Sequence, residues 1–159
     1  MSSSENEIEI GELFPVQYDA PRCFACGPKS ETGIKLRFKK ESKNSVSTRF
    51  QPPPDWTGWG DIMHGGFQSL LLDETMSWTA YGSLNVKTFV TKELQVQFIR
   101  PVHVNQPLSI IGYVENDDGK TIKTKGEIRG ADNTLLTSAR GVIVRVDAKV
   151  VMSSQVSNS

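Results

Sequence analysis

Two neighbouring groups of residues in this chain have the chemistry of a site: His64-Gly65-Gly66, and Asp73-Glu74 beginning nine residues after the histidine. Glycines just ahead of a helix let the backbone approach a ligand closely. The first amides of a helix have no internal partner and carry a partial positive charge, so they can hold a developing oxyanion. Asp73 lies two turns further along, at about 1.5 Å of rise per residue, too far to reach the same atom from the same helix. A second copy of that helix, packed antiparallel, would bring its carboxylate within reach.

The element that positions these groups runs from about Gly66 to Gly82, with Phe67, Leu70, Leu71, Met76, Trp78 and Ala80 as candidates for its buried side and Gly82 as its stop. The flanking chain reads as strands. Ile34-Lys-Leu-Arg-Phe-Lys alternates apolar and basic residues, Asn44-Ser45 makes a turn, and Val46 to Phe50 alternates again, which predicts a hairpin. Pro52-Pro-Pro-Asp55 ends it. After the helix come a long strand within Lys87–Arg100, a strand at Leu108–Glu115, a turn at Asn116–Gly119, a strand at Lys120–Arg129, a turn at Gly130–Asn133 and a last strand at Leu135–Val146. This is an α+β chain: an antiparallel sheet of about five to six strands wrapped around one long central helix. Residues 1–12 are expected to be a disordered tail, 13–148 a single domain, with Leu13 to Tyr18 packed loosely or in a short helix, and 149–159 a polar tail.

Eighteen basic and eighteen acidic residues balance, leaving no electrostatic footprint for nucleic acid or an acidic membrane. No run approaches the roughly 20 apolar residues of a membrane span, and the polar, acidic start lacks the pattern of a signal peptide. A soluble cytoplasmic protein is the expectation. The two cysteines, Cys23 and Cys26, form a C-x-x-C pair. A zinc site needs about four ligands, and the chain offers only these two and two distant histidines. A redox pair lacks a thioredoxin-like βαβ context. A compact loop packed against the fold is the favoured reading, and no metal or separate cofactor is expected.

Three patches resemble the hot-dog-fold thioesterases, specifically the phenylacetic-acid-degradation-type acyl-coenzyme A thioesterases. Cys23-Phe-Ala-Cys-Gly-Pro-Lys-Ser-Glu-Thr-Gly-Ile resembles the C-x-x-C-G-x-x-N-P-x-G-L opening of one group of them. Gly60-Asp-Ile-Met-His-Gly-Gly with Leu72-Asp73-Glu74 resembles G-x-x-H-G-G…L-x-D-E. Thr91-Lys-Glu-Leu-Gln-Val-Gln-Phe-Ile-Arg-Pro101 resembles T-x-x-L-x-V-x-Y-L-R-P. The resemblance implies hydrolysis of an acyl-coenzyme A by a homodimer or homotetramer, with coenzyme A as part of the substrate. It implies that the Gly65 amide, with Gly66 adjacent, holds the thioester carbonyl. It implies that Asp73 of the partner subunit acts as base or nucleophile, and that Thr91 helps place the water.

Ser77, one turn after Asp73 on the same face, is a second candidate for that role. Each assignment has a structural alternative. For Asp73 the alternative is a partly exposed helix carboxylate, behind catalysis, and Thr91 reads equally as a strand residue with a satisfied hydroxyl. His64 reads as a residue that fixes the turn through its ring, ahead of a general base. Glu74 points about 100° away from Asp73 and reads as an ion-paired structural group, with the working acid as the alternative. Trp56, Trp59 and Trp78 either line an acyl pocket or fill the core. Many relatives carry Asn or Gln six residues before the histidine, where this chain has Gly58, with Asp55 or Asp61 as nearby substitutes. Two other functions fit the pattern: a non-catalytic acyl-coenzyme A sensor, and a hydratase or dehydratase working through His64 and Glu74. Lys92, Arg100, Lys123, Lys125 and Arg129 are candidates to meet the nucleotide end of coenzyme A.

Overall fold

The computed structural model describes residues 7–17 and 19–152. Its elements are β1 (Lys39–Ser42), β2 (Ser45–Phe50), a single 3-10 turn (Pro54–Trp56), β3 (Thr57–Trp59), β4 (Ile62–Met63), α1 (Gly65–Leu84), β5 (Phe89–Phe98), β6 (Leu108–Asp117), β7 (Thr121–Arg129), β8 (Leu135–Arg145) and α2 (Ala148–Met152). Six strands form one antiparallel sheet in the order β1-β2-β6-β7-β8-β5, while β3 and β4 pair separately. The sheet curls around α1, a 20-residue helix buried along most of its length. This is the hot-dog architecture.

The close approach of helix and sheet depends on a strip of small residues. Gly112 on β6 is opposite Gly126 on β7, which is opposite Ala139 on β8. One register step away, Thr124 is opposite Gly141. Leu72, Thr75, Met76 and Thr79 of α1 fill this strip: a Cβ on Gly112 would overlap Thr79 Oγ1 and stand 3.1 Å from Thr75 O, and one on Gly126 would stand 2.8 Å from Met76 Sδ. Thr75 and Thr79 can face the sheet because each hydroxyl donates to its own helix, to Leu71 O (2.7 Å) and Thr75 O (2.8 Å).

The structure differs from the sequence reading in several places. The helix runs past Gly82 to Leu84 and ends at Asn85, whose φ of 53° supplies the left-handed cap. Gly82 is needed for packing instead: a Cβ there would stand 2.5 Å from Phe14 Cζ. Leu36 and Phe38 are buried as the alternation predicts, yet the sheet ladder begins only at Lys39. Backbone groups of residues 34–38 bond elsewhere: Ile34 and Leu36 N–H donate to Phe24 and Ala25 of the cysteine loop, and Phe38 O accepts from Phe14.

Residues 11–14 were expected to be tail or loosely packed. They run beside 38–40, with Gly11 N–H donating to Lys40 O and Lys40 N–H to Glu12 O. Phe14 enters the core, 5.7 Å from Trp78 between ring centroids. Residues 148–152 form a short helical turn, and residues 1–6 and 153–159 of the expected tails, together with Tyr18, lie outside the described residues. Val142 and Val144 share a face of β8, while the core is packed by Thr137, Ala139 and Ile143 on the other.

Gly112→Ala is expected to destabilise the fold by about 1–3 kcal/mol, the range for overpacking a close contact. Denaturant unfolding measures it, and an unchanged midpoint would show that the helix can move away from β6.

Candidate active site

The start of α1 is built by His64. Its backbone N–H donates to Trp56 O (2.8 Å), its carbonyl accepts from Phe67 and Gln68, and its ring Nδ1 accepts from Gly66 N–H at 2.9 Å. An Nδ1 that accepts carries no proton there, so the ring acts as the helix cap. This bond takes the Gly66 amide, while among the described residues no acceptor pairs with Gly65 N–H. Gly65 opens onto a cleft of about 420 Å³ lined with Ile62, Met63, Gln68, Phe98 and Arg100, among others. The Phe98 ring covers Gly65 closely, 3.0 Å from where a Cβ would be, so only glycine fits without displacing the ring.

The sequence reading missed Gln68. It is almost fully buried, its amide donates to Met63 O (3.1 Å), and its Oε1 accepts from Thr137 Oγ1 (2.6 Å). This ties the turn before α1 to β8. The available signal was a single amide side chain among Phe67, Leu70 and Leu71.

Two turns along α1, half-buried Asp73 accepts a 2.7 Å hydrogen bond from Thr91 Oγ1. Thr91 lies on β5 where the register with β8 shifts, so that Lys92 is an extra residue. Bulges of this kind re-aim side chains. Ser77 is half-buried one turn beyond Asp73. Asp73 and Gly65 are eight residues apart in α1, about 12 Å along the axis, and remain separate within one chain.

Glu74 faces another way. Its Oε1 accepts from Trp78 Nε1 (3.2 Å) and lies 3.6 Å from Cys23 Sγ. Burial pushes its pKa up to about 7, with Cys23 adding to the rise and the Cys26 and Trp78 bonds opposing it. Its described partners are two thiols and an indole, not the cation of the expected ion pair. A hydratase would need His64 and Glu74 free to act together. Instead the His64 Nδ1 is occupied by a backbone amide and the Glu74 carboxylate is turned to Cys23 and Trp78.

The remaining candidates divide as follows. Trp56 stacks on Phe67 at 4.2 Å and Trp78 on Phe38 at 4.8 Å, both as packing, whereas Trp59 is 84% exposed. Asp61 is held by His103 in an exposed pair at 3.1 Å. Gly58 lies beside His64, with room for a Cβ at 3.5 Å. Lys125 and Arg129 are both paired with Glu127. Arg100 donates to Leu135 O and lines the cleft at Gly65.

Known proteins agree with this architecture. Residues 60–137, from the glycine loop into the last strand, match the family described as "Thioesterase superfamily". The matched stretch is similar to that superfamily, and the fold around it is the hot-dog fold. Over 111 residues it is 25% identical to the acyl-coenzyme A thioesterase THEM4 of Bos taurus, covering 69% of this chain and 45% of that protein. An uncharacterized protein of Schizosaccharomyces pombe is 29% identical over 57% of this chain and 51% of its own length. The chain thus spans about half the length of the curated relatives it matches. The crystal structure of a thioesterase superfamily protein superposes with a TM-score of 0.71 at 27% identity, over 78% of this chain and 60% of that one. No helix among the described residues is long and apolar enough to cross a membrane.

Thr137→Val removes the donor to Gln68 Oε1 and leaves a buried carbonyl unpaired, with an expected cost of about 1–3 kcal/mol. Thermal unfolding checks it, and Thr137→Ser should recover most of the loss.

Proposed function

We propose that this protein hydrolyses the thioester of a small or medium acyl-coenzyme A to the free acid and coenzyme A, with a site shared between two subunits. The observation that carries this reading is the division of labour along α1. A helix-start amide with no acceptor among the described residues lines a cleft at one point, and a carboxylate oriented by a hydroxyl stands two turns away. Neither half is complete alone. Two copies with antiparallel α1 helices would set Asp73 of one against Gly65 of the other. Edge strand β5, with Val90 and Phe98 exposed, offers a surface for that pairing.

In this mechanism the carbonyl oxygen accepts from Gly65 N–H, where the helix start also contributes positive potential. Asp73 takes a proton from a water positioned by Thr91, and the hydroxide attacks the carbonyl carbon. The tetrahedral intermediate collapses with loss of the coenzyme A thiolate, which then takes up a proton. His64 positions this site through the Gly66 amide. Arg100, on the wall of the cleft, is placed to meet an anionic part of the substrate. The bovine relative, named as an acyl-coenzyme A thioesterase, supports the substrate class.

Gly58 favours a second reading, an acyl-coenzyme A sensor without turnover. The side-chain amide that the family resemblance leads one to expect beside His64 is missing, although a Cβ has room there.

Thiol release over a panel of short, medium, long and aryl acyl-coenzyme A esters tests the hydrolase. Asp73→Asn is expected to lower kcat on the order of 10²-fold or more with the fold and oligomer intact. Wild-type turnover in that variant would remove Asp73 from the mechanism. Micromolar binding with no turnover would establish the sensor. Gly58→Asn is expected to raise kcat if the amide is the missing part of the site.

A further inference from the structure

The C-x-x-C loop and Glu74 form a cluster that thioester hydrolysis does not use. Cys23 Sγ, Cys26 Sγ and a Glu74 carboxylate oxygen lie within 4.8 Å of one another, and all three residues are half-buried. The sequence displays two of these donors next to each other, while the third arrives from the middle of α1, 51 residues after Cys23. Both cysteines are free thiols.

The loop is closed by its own backbone hydrogen bonds. Cys23 N–H donates to Ala20 O (3.0 Å) and Gly27 N–H to Cys23 O (2.8 Å), which closes the C-x-x-C-G turn. Gly27 is required for the turn, because a Cβ there would stand 2.5 Å from both Cys23 N and Pro21 O. The turn is anchored further by Ile34 N–H on Phe24 O (2.9 Å) and Leu36 N–H on Ala25 O (2.8 Å).

We infer that Cys23, Cys26 and Glu74 form a zinc-binding site that clips the N-terminal loop to helix α1. Two thiolates and one carboxylate suit zinc, whose bonds to sulfur and oxygen are about 2.0–2.3 Å, and a thiolate-rich set disfavours magnesium and calcium. Binding releases to solvent the protons that the two thiols and the carboxyl carry, and water takes the fourth position. Trp78 Nε1–H orients the Glu74 carboxylate from outside the ligand set, as partners of metal ligands do. The site explains why a half-buried carboxyl is set against two thiols with no described cation beside it. It is structural in position: Glu74 adjoins Asp73, so the clip fixes the turn of α1 that carries the proposed base.

The test is titration of the reduced full-length protein with Co²⁺ and then Zn²⁺. One Co²⁺ per chain is expected, with a thiolate-to-cobalt charge-transfer band and the visible bands of a tetrahedral site, both lost on adding Zn²⁺. Zn²⁺ should also protect both thiols from alkylation until a chelator removes it. Cys23→Ser and Cys26→Ser should lose the charge-transfer intensity. Glu74→Gln, which keeps an acceptor for Trp78, should weaken Zn²⁺ binding by at least about 10-fold, the lower end of the loss seen even for outer partners. Circular dichroism of each variant separates lost binding from lost folding, and chelator titration of the wild type tests the site if a variant fails to fold. Absence of stoichiometric Co²⁺ or Zn²⁺ binding by the reduced wild type would overturn the inference. So would undiminished affinity in folded Glu74→Gln, or a Cys23–Cys26 disulfide that persists in mild reductant. None of these readouts depends on thioester turnover.

Discussion

Everything in this fold depends on how closely α1 can approach the sheet that curls around it. Gly112, Gly126, Ala139 and Gly141 remove the side chains that would hold the helix away, and Leu72, Thr75, Met76 and Thr79 occupy the space. Close-packed interiors transmit small displacements, so this contact also sets the positions of Gly65 at one end of the helix and Asp73 in its middle. The buried threonines make the approach compatible with a dry interface by bonding to their own helix.

The helix start shows how a cap can select one amide from several. Four N–H groups lack intrahelical partners at the start of any α-helix. Here the His64 ring takes that of Gly66, and no acceptor among the described residues takes that of Gly65, which lines the cleft. Gln68 then holds the turn to β8 through Thr137, so the position of the free amide is set by a buried polar chain rather than by a flexible loop. Buried networks of this kind are worth their desolvation only when fully satisfied, and this one pairs both ends of the Gln68 amide.

Adjacent carboxylates on α1 have separate surroundings. Asp73 meets a strand hydroxyl on the β5 side, while Glu74, about 100° around the helix, meets thiols and an indole under the N-terminal loop. Burial raises the proton affinity of Glu74. One helical step thus separates two carboxylates with different partners.

The sequence alone determined the strand pattern, the single long helix and the candidate stretch, because alternation, apolar periodicity and glycine placement are local properties of the chain. His64-Gly65-Gly66, Asp73 and Thr91 stood out as candidates for the same reason: each belongs to a short pattern with fixed spacing. Tertiary structure decided what depended on distant partners. Gly82 read as a stop because nothing nearby in sequence announces Phe14, whose ring requires a glycine there. The ladder began at Lys39 rather than Ile34 because the cysteine loop and residue 14 claim the backbone in between. Glu74 read as an ion-pair member because the thiol that meets it lies 51 residues earlier. The pairing of β5 with β8, which makes β5 an edge, likewise follows from the sheet closing around α1 and not from any feature within the strand itself.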